Sequence, residues 1–237
     1  MGVVAALAAE ARTLGRVVRR ADGLSSLGDG ALLAVGGMGR HLAALAARRL
    51  VQAGADALLS FGFAGGLDPA LNAGAVVCPA EIIDESGARL ATSAEWRKQL
   101  CAASPLRRPV AAGPLLTCAA PIDSVADKAL AFRETGAVAV DMESFGVAEV
   151  AAEFGLPFLA LRVVVDTAAD TLPQSVLAAT REGSLSMRRL LGGLASAPLE
   201  LLALIRLAQR YRAATRSLAA VACGGLSAPG VSGSRAA

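Results

Sequence analysis

The 237-residue sequence predicts an α/β protein, a single-domain three-layer fold with a central mixed, largely parallel twisted sheet flanked by helices. Short apolar runs alternate with longer Ala/Leu/Arg segments along most of the chain, the pattern of strand–helix–strand units. Most of those runs are too apolar for either face to meet water, as expected of parallel strands covered on both sides. Hydrophobic residues make up 54% of the chain and aromatics only 3%, so Ala, Leu and Val must fill the core, which suits closely packed helices on a sheet. The chain is longer than a usual single domain, but α/β units often run this long around one core. The expected organisation is a main domain over residues 1–190, a basic helical extension over 191–225 and a disordered tail over 226–237.

Six runs read as strands: "GVVAALAA" from Gly2, "ALLAVGG" from Ala31, "DALLSFGFAGG" from Asp56, "GAVVCPAEII" from Gly74, "AVAVDM" from Ala137 and "FLALRVVVD" from Phe158. Between them, residues 40–53 put Leu42, Leu45, Ala46 and Arg49 at helical spacing, with Gly54 as the stop. A second helix is predicted from about Ser144 to Phe154, ended by Gly155 and Pro157. From about 176 to 222 the pattern is helical, broken by "GGLASAP" at 192–198; within 199–216, Leu201, Leu204, Ile205 and Ala208 share a face while Arg206, Arg210, Arg212 and Arg216 add charge. The tail "SAPGVSGSRAA" is small and polar.

The first apolar run lacks a basic leader and is interrupted by Glu10, which argues against a signal peptide and for a cytoplasmic protein. The longest uncharged run, 217–234, holds Pro229 and four glycines, so no transmembrane helix is expected. Residues 1–180 carry 15 Lys/Arg against 18 Asp/Glu, and 181–237 carry 8 against 2; the C-terminal quarter is the basic part. Cys78, Cys101, Cys118 and Cys223 show no C-x-x-C spacing and have only His41 for company. Neither a metal site nor a disulfide framework is expected, and His41 reads as a surface or capping residue.

Acidic residues at strand ends are the chemical candidates, because ligands of such sheets bind at the carboxyl ends of strands. In "AVAVDMESFGVAEV", Asp141 reads as a helix cap. Glu143 is either a helix-dipole residue or a ligand acceptor in a cleft with Met142 packing on an apolar ligand face. Asp166 repeats that geometry after "FLALRVVV"; a carboxyl partly desolvated there could stay protonated and serve as a general acid, or be an ordinary loop aspartate. Arg162, inside the same run, needs a carboxylate or a polar cleft, because a buried unpaired charge is costly. "SFGFAGGLDP", with Phe63, Ala64 and Gly65, offers amides for close approach to a ligand or merely a tight turn. "VGGMGRHLAAL" precedes a helix start that suits anions, or its glycines serve only a tight turn; it lacks the Walker lysine and does not complete G-x-G-x-x-G, which makes a nicotinamide-binding enzyme the least favoured reading.

"LLSFGFAGGLDPALNAGAVV" and, downstream, "AVDMESFGVAEVAAEFGLPFLALRVVVDTAADTLP" resemble the nucleoside phosphorylase and nucleosidase superfamily, close to its methylthioadenosine/S-adenosylhomocysteine nucleosidase branch. The resemblance spans roughly residues 2–190. The short Ala-rich chain and basic C-terminus look most like the hopanoid-biosynthesis-associated phosphorylase family, which releases adenine from adenosylhopane to leave a ribosyl-type hopanoid. The resemblance implies cleavage of an N-glycosidic bond. Asp166 matches the acid that protonates adenine at N7, Glu143 the glutamate that binds ribose hydroxyls and favours an oxocarbenium-like transition state, and Met142 the methionine under the sugar. Arg162 would support the acid. Glu10 matches the glutamate that orients the attacking water.

Two motifs depart from the family. Phosphorolytic relatives carry Arg at the start and Ser or Thr in the middle of the stretch that is "SFGFAGG" here, where Ser60 and Phe63 stand. An alternative phosphate site would use Arg12, Arg40 and the amides of Gly36 to Gly39, Gly37 and Gly39 included. The aromatic that nucleosidases place against adenine is matched by Pro121, beside Ile122; aliphatic walls can still sandwich a purine by dispersion contacts. No cofactor is expected beyond water or inorganic phosphate as co-substrate. The expected partners are a small-molecule nucleoside or nucleoside-lipid and a second copy in a homodimer, with no nucleic acid. An Arg-rich helix over 199–216 offers peripheral contact with the inner membrane, or is simply a solvated core or oligomer-contact helix. A hydrolytic methylthioadenosine/S-adenosylhomocysteine nucleosidase and a non-catalytic nucleoside-binding protein are the alternative readings.

Overall fold

The computed structural model of the protein describes residues 1–27, 30–103, 110–172 and 198–226. Sequence expectations for 173–197 and for the tail from 227 lie outside the described residues, as do the side chains of Leu201, Leu204, Ile205 and Arg206.

The chain opens with β1 (Gly2–Ala5), a one-turn helix α1 (Ala8–Ala11), and the short strands β2 (Val18–Arg19) and β3 (Ser25–Ser26). Next come β4 (Leu32–Val35), α2 (Arg40–Gln52), β5 (Leu58–Gly66), β6 (Val76–Val77), β7 (Glu81–Asp84), β8 (Arg89–Ala91) and α3 (Ala94–Ala103). The second half contains β9 (Leu115–Thr117), α4 (Val125–Thr135), β10 (Ala139–Asp141), α5 (Ser144–Glu153), β11 (Phe158–Asp166) and a long C-terminal helix, α6 (Pro198–Cys223).

The strands form one mixed sheet in the order β2-β3-β4-β1-β5-β10-β9-β7-β8, with β11 along the other edge of β5 and β6 beside β11. Its centre is parallel: β1 pairs with β4 and β5, and β5 with β11. Alternation along the two longest strands builds the three layers. Leu58 and Ala64 of β5 and Phe158, Ala160 and Val164 of β11 join the core formed with α2 and α5; Leu59, Phe61, Leu159, Leu161 and Val163 join the other, formed with Trp96 of α3 and Ala214, Leu218 and Val221 of α6. The C-terminal helix is thus part of the second core, and the Trp96 Nε1 proton donated to Leu226 O at 3.2 Å pins the chain just beyond it. No helix among the described residues is long and apolar enough to cross a membrane.

Three sequence expectations shift in detail. "GVVAALAA" stays extended only to Ala5 before turning into α1. "GAVVCPAEII" is two strands, because Pro79 has no N–H to donate where the ladder would continue. In α2 the buried face is Ala43, Ala46, Ala47 and Leu50, while Leu42 and Leu45 are exposed. The small residues win the inner face because the backbones approach closely: a Cβ on Gly146 of α5 would lie 2.2 Å from Arg40 O.

Candidate active site

Three carboxylates and one guanidinium meet where β1 and β10 end against the middle of β11, which supplies Arg162. Arg162 is 1% exposed, and its Nη2 lies 2.7 Å from Asp141 Oδ2 and 3.7 Å from Glu143 Oε2. The same nitrogen donates to Ser60 Oγ at 2.7 Å and Ser144 Oγ at 3.0 Å. Asp141 is held from its other sides by Thr117 Oγ1 at 2.7 Å and the Ser144 N–H at 3.1 Å. It is therefore both the acceptor at the start of α5 and the principal counter-ion of Arg162.

Glu10 is fixed by the backbone. The N–H groups of Ala6 and Leu7 donate to Oε2 at 2.9 and 2.8 Å, and the Phe63 N–H donates to Oε1 at 2.9 Å. Glu143 accepts the Gly39 N–H at 2.9 Å, a contact that ties the loop before α2 to the start of α5. Burial pushes the Glu143 carboxyl up to about 7, with Asp141 adding to the effect and Arg162 opposing it. Burial also raises Glu10 above its ordinary value, against Arg162 and its three amides. Burial works against the charge on Arg162, but Asp141, Glu143 and Glu10 outweigh it and hold the guanidinium above its usual value. One cation thus serves three carboxylates, and the pocket keeps an excess of acceptors suited to hydroxyls and to positive charge.

Asp166 stands across Gly65 from this group. The register sets Gly65 opposite Val140 on one side and Asp166 on the other, with an irregularity after Val164. Lys128, completely buried, places Nζ 2.5 Å from Asp166 Oδ2. Burial pushes the Asp166 carboxyl up and the ammonium works against it. At the rim, the Phe63 ring meets Tyr211 of α6 with centroids 5.2 Å apart, and Arg210 pairs with Asp170.

Residues 24–195 match the family model described as the Phosphorylase superfamily. The chain belongs to the phosphorylase superfamily. Among solved structures it is similar to the 5′-methylthioadenosine/S-adenosylhomocysteine nucleosidase of Neisseria meningitidis in complex with methylthio-immucillin-A, with 18% identity over 94% of this chain and 96% of that one and a TM-score of 0.70. It is similar also to a mutant of the Helicobacter pylori nucleosidase with 5′-methylthioadenosine in its active site (18% identity, 83% and 98% of the chains, TM-score 0.64). A third similar structure is the futalosine hydrolase of Helicobacter pylori (17% identity, 93% and 95%, TM-score 0.66). Comparison with curated protein sequences gives no match.

In this member of the phosphorylase superfamily, the sequence-derived residues Glu10, Phe63, Asp141, Glu143 and Arg162 come together in one cluster. Met142 is half-buried beside it, Ala64 is buried, and Gly65 separates it from Asp166. Pro121 and Ile122 are half-buried in the loop before α4, whose Asp123 O accepts the Leu172 N–H, so that loop and the one after Asp166 adjoin. The phosphate candidates are largely engaged elsewhere. The amides of Gly36 and Gly37 bond to Ala5 and Ala6, and that of Gly39 to Glu143. Arg40 pairs with Asp84 and Glu149 over the Phe145 ring, while Arg12 is exposed. Arg162 contacts the Asp141–Glu143 pair, and it is Lys128 that contacts Asp166.

Lys128 is the residue that sequence reasoning missed. Its signal was its position three and four residues before Ala131 and Phe132, on the face α4 turns inward. The glycines of "SFGFAGG" also have a different purpose, since they lie within β5 and leave room for the site's own side chains. A Cβ on Gly62 would come within 2.3 Å of Glu10 Oε1 and 2.5 Å of Arg162 Nη1. Gly62→Ala is expected to lower stability by about 1–3 kcal/mol, the usual cost of overpacking, and to displace Glu10. Thermal melts and turnover on one preparation check this, and an unchanged melting temperature would show that both groups give way freely.

Proposed function

We propose that this protein cleaves the N-glycosidic bond of an adenine nucleoside and releases free adenine, with water as the nucleophile. The observation that carries the reading is the sharing of Arg162 among Glu10, Asp141 and Glu143 beside the separately held Asp166. As the C1′–N9 bond breaks, its electron pair moves to the base and positive charge grows on the ribose. Asp166 gives the base a proton, Glu143 accepts the ribose hydroxyls and stabilises the cationic sugar, and Glu10 orients the water that adds to C1′. The engagement of Gly39 and Arg40 with carboxylates supports water over phosphate.

For the 5′ substituent, the sequence resemblance supports adenosylhopane, with a ribosyl-type hopanoid as product in hopanoid biosynthesis. The second reading, a methylthioadenosine/S-adenosylhomocysteine nucleosidase, is favoured by the similarity to nucleosidases solved with methylthio ligands. Incubation with adenosylhopane and with methylthioadenosine, each with and without phosphate, separates the readings. Adenine plus free sugar from adenosylhopane is the expected result. Sugar 1-phosphate would mean phosphorolysis, preferential cleavage of methylthioadenosine would support the second reading, and tight binding without adenine release would reduce the protein to a nucleoside binder.

A further inference from the structure

Lys128 is a lysine with no exposed surface, in the first turn of a helix capped by Ser124, whose Oγ accepts the Asp127 N–H. Desolvating an ammonium is costly unless it is paired and its protons are all bonded. Here all three are used: Nζ donates to Asp166 Oδ2, to Thr167 O at 3.0 Å and to Asp170 O at 2.9 Å. A purely structural lysine could have bonded carbonyls alone, yet this one spends a proton on a carboxylate oxygen of the candidate acid. No other side chain among the described residues donates to that carboxylate. The loop it grips is closed on itself, because Asp170 Oδ2 accepts the Thr167 N–H at 2.8 Å and Oγ1–H at 2.7 Å.

Resting on the nucleoside-cleaving reading above, we propose that Lys128 is the positioning residue of the general acid. It fixes Asp166 by Oδ2, turns the rest of the carboxyl toward the base, and stabilises the carboxylate that remains after proton transfer. In the step itself the O–H bond of Asp166 breaks and an N–H bond forms at the base, while the C1′–N9 electron pair leaves with the base. The negative charge that appears on Asp166 lies against the Lys128 ammonium. The other charged groups nearby are few. Asp170, itself paired with Arg210 of α6, lies in the same loop, and across Gly65 stands the Arg162 cluster of β10 and β11.

An ammonium in contact favours the ionised form of a carboxyl, commonly by one to three pH units. Its removal should leave Asp166 protonated to higher pH and make it a poorer acid. The experiment compares Lys128→Gln, which keeps hydrogen bonding without charge, and Lys128→Arg, which keeps charge, using methylthioadenosine and adenosylhopane as probes and pH profiles of kcat and kcat/KM as readouts. In Lys128→Gln, kcat should fall by about tenfold or more with KM little changed, and the alkaline limb should move up by about one pH unit or more. Lys128→Arg should restore the limb toward the wild-type position. If Lys128→Gln loses activity uniformly with the limb unmoved, or if the two variants share one profile, the assignment is overturned. Failure of the functional reading shows separately, in a wild-type protein that releases no adenine from either probe.

Discussion

Asp166→Asn should lower kcat by about 10²-fold or more while leaving KM within a few-fold of wild type. The amide can still donate a hydrogen bond to the base but cannot transfer a proton to it, so the loss falls on the chemical step, within the usual 10²–10⁴ range for a general acid. The substitution also leaves the buried Lys128 ammonium beside a neutral amide. Breaking a buried pair on one side typically destabilises by about 3–5 kcal/mol, so the melting temperature should fall with the activity. Turnover must therefore be normalised to folded protein. Near-normal kcat in the folded fraction would remove Asp166 from the mechanism, and with it the proposed role of Lys128.

The site was legible in the sequence wherever a charge interrupted an apolar run. Glu10 after "GVVAALAA", Glu143 after "AVAVDM" and Arg162 inside "FLALRVVVD" stand out because strand interiors exclude charge unless it is paired or used. The pairings were not legible. The family resemblance makes Arg162 the support of Asp166, but β11 is extended between them and irregular after Val164, and Arg162 instead meets Asp141 at the end of β10. Lys128 is 38 residues from Asp166, in a helix whose sequence "VADKALAFRET" carries charges all around, so its helical spacing to Ala131 and Phe132 marks a face but not the carboxylate it meets.

The fold followed the same division. Strands β5 and β11, each nine residues long, and helices ended by Gly54 and Gly155 at φ +91° and +64° carry strong local signals. Strand β9 is only three residues, Leu115 to Thr117, and owes its place to β7 and β10 on either side. Helix α3 buries Trp96 and Leu100 but begins among polar residues, and its existence depends on the second core rather than on amphipathic pattern. Along most of α2, size rather than hydropathy decided burial, as inward Ala43, Ala46 and Ala47 and outward Leu42 and Leu45 show.

Glu143→Gln should abolish most turnover and, above neutral pH, make the protein more stable. The side chain is desolvated, and its carboxyl is raised from 4.5 to about 7, burial being the larger cause and Asp141 the next to raise it. The unfolded chain releases this proton near the ordinary value, so between 4.5 and about 7 the folded protein binds more protons than the unfolded one, and stability falls as pH rises through that window. Above it the folded protein carries the full cost of the buried charge, on the order of 3 kcal/mol. A neutral glutamine keeps an acceptor for the Gly39 N–H and removes that cost. The variant should match wild type near pH 4 and melt several degrees higher at pH 8. Its kcat should fall by about 10²–10³-fold, because the negative charge that favours the cationic ribose is gone. Melts at the two pH values with turnover at pH 8 read both effects. A variant less stable than wild type at pH 8 would mean that the 3.7 Å contact with Arg162 outweighs the burial of the charge, and that the acidic cluster is held for the fold rather than at its expense for the reaction.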